Sequence, residues 1–389
     1  MTNVLYLNLP KTFMGSGAIN NIVSAVNGLP HSNILVITDP GIKNAGLVDL
    51  IVGPLEKAGY KFEIYGECES NPLSSSIEIL ARKVKKSKFD LLVGIGGGSV
   101  MDCAKVISLL AANEGINCRD LINDKRVSKK LAKILIPTTA GTGSEWSSTA
   151  MVSDDKAGNQ KLGITCDEII PDVAIIDPEL TINLPQKITA DTGMDALTHA
   201  IESYTSCVAN IISDMYALTA LKLIYGSIGQ AFSKGNQNIE ARYNMSIGAS
   251  LAMFAATVSR VGIAHFMGHP LEKRVHVTHG VGCTLMLPYT IQFNLMACPG
   301  KFAKIAEVMG EPVSGLSIFD AAVKPINAIK RLSRALEMPQ TLKEIGIKKN
   351  QITEMADETI NFYGDLIKMW NPRDVSRDDL VNIYNSAFG

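Results

Sequence analysis

The sequence predicts two parts of different class: an α/β part built on a parallel sheet, then an all-helical part. Three observations carry this. At 389 residues the chain exceeds the size at which one hydrophobic core keeps growing. Up to about residue 183, short apolar runs rich in β-branched residues alternate with helical patterns, as in a parallel sheet with crossover helices. From 186 onward apolar residues recur at spacings of three and four, and no alternating run remains. The expected domains are 1–183, α/β, and 184–389, helical.

In the first part, ILVIT at 34–38 ends at Asp39-Pro40-Gly41, which fits a buried strand stopped by a turn. A helical pattern follows at 44–58, then KFEIY at 61–65, a helix after Asn71-Pro72, and DLLVGI at 90–95. That last strand runs into Gly94-Ile-Gly96-Gly97-Gly98-Ser99, where a helix begins. A glycine-rich turn of this kind lets backbone N–H groups and a helix N-terminus approach a phosphate. It is not the G-x-G-x-x-G fingerprint, because Ser99 stands at the last glycine position. The second part reads as helices over 214–232, 241–257, 302–309 and 319–336.

Composition excludes several classes. A net charge of −1 offers no electrostatic footprint for nucleic acid or for a membrane surface. A 46% hydrophobic content argues against disorder. Seven cysteines, an odd count without C-x-x-C, fit a reduced cytoplasmic chain. The start, MTNVLYLNLPK, lacks a basic stretch followed by a long apolar run, and no 18-residue apolar segment occurs, so a soluble, cytoplasmic protein is expected.

The chemistry concentrates in TADTGMDALTH, 189–199. Asp195 and His199 stand four apart among helix formers, so both leave one face of a helix and can clip a metal ion. His265 and His269 repeat that spacing, and His279 follows ten residues later.

GMDALTHAIE (193–202), HFMGHPL (265–271) and HGVGCTLMLP (279–288) resemble the metal-binding signatures of the iron-containing, or group III, alcohol dehydrogenases. That family includes lactaldehyde reductases and 1,3-propanediol dehydrogenases. The resemblance implies a Rossmann-like domain followed by a helical one, the dehydroquinate synthase-like architecture. It implies metal ligation by Asp195, His199, His265 and His279, with His269 lining the site near the nicotinamide as a candidate proton relay. Three imidazoles and a carboxylate suit Fe(II), with Zn(II) or another divalent ion as alternatives. None of those four positions is a cysteine.

GGGSVMDCAK resembles the family's pyrophosphate loop, and TTAGTGSE (138–145) its second nucleotide loop. The implied cofactor residues are Gly96, Gly97, Gly98, Ser99, Asp102, Thr138, Thr139, Thr142 and Lys161. Asp39 stands where relatives hold the adenosine ribose, and a carboxylate there favours NAD over NADP. Residues 158–185 resemble the segment bridging the two domains.

Departures from the family pattern bear on the substrate. Arg260 replaces a small or polar residue, His276 and Thr278 replace Asn and Pro, Cys283 replaces an asparagine, and Trp146, Ser147, Ser148 and Thr149 follow GSE. They suggest a pocket for a short aldehyde whose carboxylate, sulfonate or phosphonate end meets Arg260, with Trp146 and Thr149 nearby. The expected activity is NAD- and metal-dependent oxidation of a small primary alcohol, or reduction of the aldehyde, in a homodimer or larger homo-oligomer. A lyase resembling dehydroquinate synthase is the alternative, and a non-catalytic binding protein a third.

Overall fold

The computed structural model describes residues 8–122, 127–158 and 160–389. Part of the N-terminal stretch inspected for a targeting signal, residues 1–7, lies outside the described residues. The chain forms two compact units, one comprising 1–139 with 143–183 and the other 184–389 with residues 140–142.

The first unit holds a six-stranded parallel sheet of strands β1 (Lys11–Met14), β2 (Ile34–Ile37), β3 (Phe62–Tyr65), β4 (Leu91–Gly96), β5 (Ala132–Pro137) and β8 (Val173–Ile176). Their order across the sheet is β1-β8-β5-β4-β2-β3. Every residue of β2, β4 and β8 is buried, which explains why these strands read as continuous apolar runs.

Side chains alternate between two cores. Ile34, Val36, Val93 and Ile136 pack with helices α1 (Ile22–Asn27) and α3 (Asp49–Lys57), while Leu35, Ile37, Leu92 and Leu135 pack with α4 (Ser74–Lys86) and α5 (Gly98–Ala112). Helices therefore cover both faces. The chain steps from β2 outward to β3 and then returns to place β4 on the other side of β2. The loops after β2 and β4 thus flank a crevice at the carboxyl edge, where open α/β sheets bind ligands.

Three features depart from the sequence reading. β1 pairs with β8, and residues taken as a bridge contain β8 and one strand of an antiparallel hairpin, β6 (Thr149–Asp154) with β7 (Gln160–Thr165). Such short segments reveal themselves only through pairing. Of the helical pattern at 44–58, Asp49–Lys57 forms α3, while a separate helix α2 (Pro40–Asn44) ends where the pattern begins, with Gly46 between them at a φ of 71°. That left-handed backbone ends the first helix, and glycine adopts it without steric cost.

The second unit is helical: α6 (Gln186–Thr205), α7 (Ile211–Lys234), α8 (Ile239–Ser259), α9 (Ile263–Val275), α10 (His279–Asn294), α11 (Pro299–Val308), α12 (Ile318–Ala335), α13 (Ile352–Trp370) and α14 (Arg377–Phe388). α6 is buried almost throughout and contacts α7, α8, α9 and α10. Asn210 caps α7 through the N–H groups of Ile212 and Ser213. By length and composition the stretch from Ile211 to Gln237 is apolar enough to cross a membrane. Its buried side, Ala217, Leu221, Ile224 and Ile228, packs within the helical core. A 108° bend joins α8 to α9 through residues 260–262.

Candidate metal centre and nucleotide loops

Three helices of the second unit bring one residue set together. α6 presents Asp195, His199 and Glu202 at spacings of four and three. α9 presents His265, His269 and Glu272 at the same spacings, and α10 opens with His279 and carries Cys283 one turn on. Asp195 Oδ1 lies 3.9 Å from His265 Nε2 and 3.7 Å from His279 Nε2, and Asp195 Oδ2 lies 4.0 Å from His199 Nδ1. The His199 and His265 rings are 4.5 Å apart between centroids.

These distances are too long for hydrogen bonds. Asp195 Oδ1, His199 Nδ1 and His265 Nε2 are buried without a hydrogen-bond partner, on residues only 3%, 4% and 4% exposed. A single buried orphan costs about 1–3 kcal/mol, and three facing one another mark a place suited to a cation. The donor set of imidazoles and carboxylate fits a divalent ion such as iron or zinc.

Protonation favours ligation at two of the histidines. Burial lowers the pKa of His199 to about 3 and that of His265 well below the usual range, so both are neutral near pH 7, the form that binds metal. His265 Nδ1 lies 2.5 Å from Glu202 Oε2, and His279 Nδ1 lies 2.6 Å from Glu272 Oε1. Each carboxylate accepts a hydrogen bond from Nδ1–H and leaves Nε2 facing Asp195. His279 is raised well above its ordinary range: burial opposes this but is outweighed by Cys283, Glu272 and Asp195.

Glu202 also accepts from the Gly262 and Ala264 N–H groups, at 2.9 and 2.7 Å. Sequence reasoning missed the roles of Glu202 and Glu272. Their signal was faint but present, each lying on the same helical face as a candidate histidine. His269 lines the same cluster, with Nδ1 3.4 Å from Glu272 and its ring 5.3 Å from both His279 and Tyr363.

Two departures from the family pattern have local structural roles. His276 ends α9 at a φ of 52°, a left-handed position that His, like Asn, fills more readily than most residues. Thr278 precedes α10, and its hydroxyl donates to Asp191 at 2.8 Å.

In the first unit, Asp39 follows β2 and its carboxylate caps α2 through the Ile42 N–H at 3.0 Å. Gly97 precedes α5, Gly98 opens it, and residues 97–99 are half-buried. Gly96 has no room for a side chain, because a Cβ there would lie 2.6 Å from Val100 Cγ2. The Ser99 hydroxyl donates to the Ser70 carbonyl. Thr138 donates its backbone N–H to Gly96 at 3.0 Å, joining the two loops, and a Cβ on Gly97 would rest 3.5 Å from Thr139. Thr142 falls in the three-residue segment grouped with the helical unit.

Asp102 accepts from the Ser144 hydroxyl at 2.6 Å and from the Met151 N–H at 2.9 Å, tying β6 to the second loop. Lys161 donates to Asn71 at 2.8 Å.

Among the candidate substrate residues, Trp146 Nε1 donates to the Thr12 hydroxyl at 3.1 Å, and the Thr149 and Thr165 hydroxyls are 2.9 Å apart in the hairpin. In the helical unit, Arg260 lies at φ 70° and ψ −177°, with its guanidinium 5.7 Å from the centre of the Trp370 ring. Burial lowers its pKa, and among the described residues no carboxylate pairs with it.

Comparison with known proteins agrees with this architecture. Residues 10–178 match the family described as iron-containing alcohol dehydrogenase, and residues 189–388 match its C-terminal part. The chain is 35% identical over 386 residues to 1,3-propanediol dehydrogenase of Klebsiella pneumoniae, covering 98% of each. It superposes on a crystal structure of a 1,3-propanediol oxidoreductase with a TM-score of 0.94 and 34% identity, covering 99% of this chain and 100% of the other. The sulfoacetaldehyde reductase of Bifidobacterium kashiwanohense, solved in complex with NAD+, gives a TM-score of 0.84 at 28% identity and covers 99% of both chains. A parallel-sheet unit, a helical unit with the clustered histidines, and family matches across both make this chain a member of the iron-containing alcohol dehydrogenases and an oxidoreductase acting on CH–OH groups.

Proposed function

We propose that the protein is an NAD-dependent, divalent-metal-dependent dehydrogenase that reduces a short aldehyde bearing an anionic end. The observation that carries the metal assignment is the group of three buried, unpartnered atoms on Asp195, His199 and His265. With His279 they form the proposed ligand set, and Fe(II) is the assigned metal, with Zn(II) the alternative. When bound, such an ion acts as a Lewis acid toward the substrate oxygen.

The other roles belong to the chain's own residues. Glu202 and Glu272 hold His265 and His279 with Nε2 available. His269, one turn from His265, is placed to pass the alcohol proton outward. In the first unit, the N–H groups at residues 97–99 and the start of α5 receive the pyrophosphate, Asp39 the ribose, and Thr138 and Thr139 line the loop beside them, with Lys161 contributing. The 1–183 region is thus the nucleotide-binding domain and 184–389 the metal-binding one. A cytoplasmic homo-oligomer completes the reading.

Support for an anionic substrate comes from Arg260. Its backbone lies in a region essentially reserved for glycine, a strain of about 1–3 kcal/mol that persists where function maintains it. Its charge has no carboxylate partner among the described residues, and a similar protein is a sulfoacetaldehyde reductase.

The test is NADH oxidation by chelator-stripped protein reloaded anaerobically with Fe(II) or Zn(II), using paired short aldehydes with and without a carboxylate, sulfonate or phosphonate. Metal-dependent turnover preferring the anionic members is expected. Preference for neutral aldehydes removes the anionic assignment, and absence of turnover with either metal removes the proposed metal-dependent reduction of short aldehydes.

A further inference from the structure

We propose that Cys283 is a fifth donor at this centre, its thiolate binding the same ion as Asp195, His199, His265 and His279. The inference rests on the reading of that cluster as a metal site.

Asp195, His265, His279 and Cys283 each offer a ligand atom within 4.8 Å of all the others, a grouping tighter than the expected four, since it leaves His199 outside. Cys283 Sγ lies 3.5 Å from His279 Nε2. Two donors to one ion, at about 2.3 Å for sulfur and about 2.05 Å for nitrogen, sit roughly 3.1–3.8 Å apart for angles of about 90–120° between the two bonds. The pair thus already has the spacing of two donors to one ion. A second, independent observation points into the same space: Asp195 Oδ1 and His265 Nε2, on residues 3% and 4% exposed, have no hydrogen-bond partner.

The fold places the sulfur there rigidly. Cys283 is fully buried and follows His279 by one helical turn, so both face the same side of α10. α10 is pinned on two sides by glycines. A Cβ on Gly280 would fall 1.8 Å from the Asp191 carbonyl oxygen of α6, and one on Gly282 would fall 3.1 Å from the Gly268 carbonyl oxygen of α9. At Gly280 no larger residue allows the approach, and at Gly282 a side chain would be tight, so the register of Cys283 against Asp195 and His265 follows from backbone contact.

In the family pattern this position carries asparagine. Sulfur in its place softens the donor set and shifts metal preference from Fe(II) toward Zn(II) and Co(II). On binding, the S–H bond breaks, its proton passes to solvent, and a metal–sulfur bond forms without change of oxidation state.

The experiment uses the full chain, stripped with chelator and loaded with a single equivalent of Co(II) under anaerobic conditions. Visible d–d bands, lost in Asp195→Ala, report occupancy of the site. A near-ultraviolet sulfur-to-cobalt charge-transfer band is expected in the wild type and is expected to vanish in Cys283→Ser with the d–d bands retained. Cobalt affinity in Cys283→Ser is expected to weaken on the order of tenfold. Asp195-dependent d–d bands without the charge-transfer band in the wild type overturn the role of Cys283 and leave the metal site standing. A charge-transfer band unchanged in Cys283→Ser does the same, assigning the sulfur to another cysteine. Failure to hold cobalt at Asp195 overturns the metal-site reading, and this inference with it.

Discussion

At the scale of single residues, the pairing of His265 with Glu202 links burial to chemistry. Burial moves Glu202 up to about 7, while three surrounding N–H groups favour its charged form. Its carboxylate fixes which nitrogen of His265 is available, so Glu202→Gln is expected to keep the fold and weaken metal affinity about 10–100-fold, measured by competition with a chromophoric chelator. Arg260 gives a second residue-level prediction. Arg260→Gly relieves the strained backbone and is expected to raise stability by up to about 1–3 kcal/mol in urea unfolding. The same change should raise KM for an anionic aldehyde and spare a neutral one. A stability gain with equal kinetic effects on both substrates would leave Arg260 merely strained.

At the scale of elements, the packing of α10 onto α6 depends on one missing side chain. Gly280→Ala places a methyl group 1.8 Å from the Asp191 carbonyl oxygen, backbone that cannot step aside, so the helices must separate. The expected result is a lower melting temperature together with loss of metal retention, because His279 and Cys283 ride on the displaced helix. In the sheet, Lys133 of β5 is wholly buried, its ammonium donating to the Glu168 carbonyl at 2.8 Å. Burial, reinforced by Lys130 and opposed by Asp172, lowers its pKa from 10.5 to about 7. Between those values the unfolded chain holds the extra proton, so the contribution of Lys133 to stability rises with pH across that window. Relative to Lys133→Met, the wild type should therefore gain stability as pH increases above about 7, read from urea midpoints at several pH values. A flat difference would mean that Lys133 keeps its charge when folded.

At the scale of the whole molecule, metal and stability are coupled, because an ion held only by the folded cluster stabilises it by mass action, about 2.7 kcal/mol at a hundredfold excess over Kd. Chelation should lower the melting temperature of the wild type and leave that of Asp195→Ala unchanged. Much of this organisation is legible in the residues themselves. Periodicity separates strand–helix alternation from continuous helix because each depends on local geometry, and Asp195 with His199 can be read from a four-residue spacing. β1, β8 and the hairpin are not legible, since such short segments become strands only through partners distant in the chain. Nor are the roles of Glu202, Glu272 and Cys283, because a carboxylate or thiol on one helical face has the same local sequence whether solvent or a histidine lies opposite. What the sequence by itself determined was the two-part architecture, the glycine-rich turn at the head of a helix and the family to which the histidines belong. Only the tertiary structure decided which side chains meet, because the convergence of α6, α9 and α10 is set by glycine contacts between helices whose members lie up to 89 residues apart.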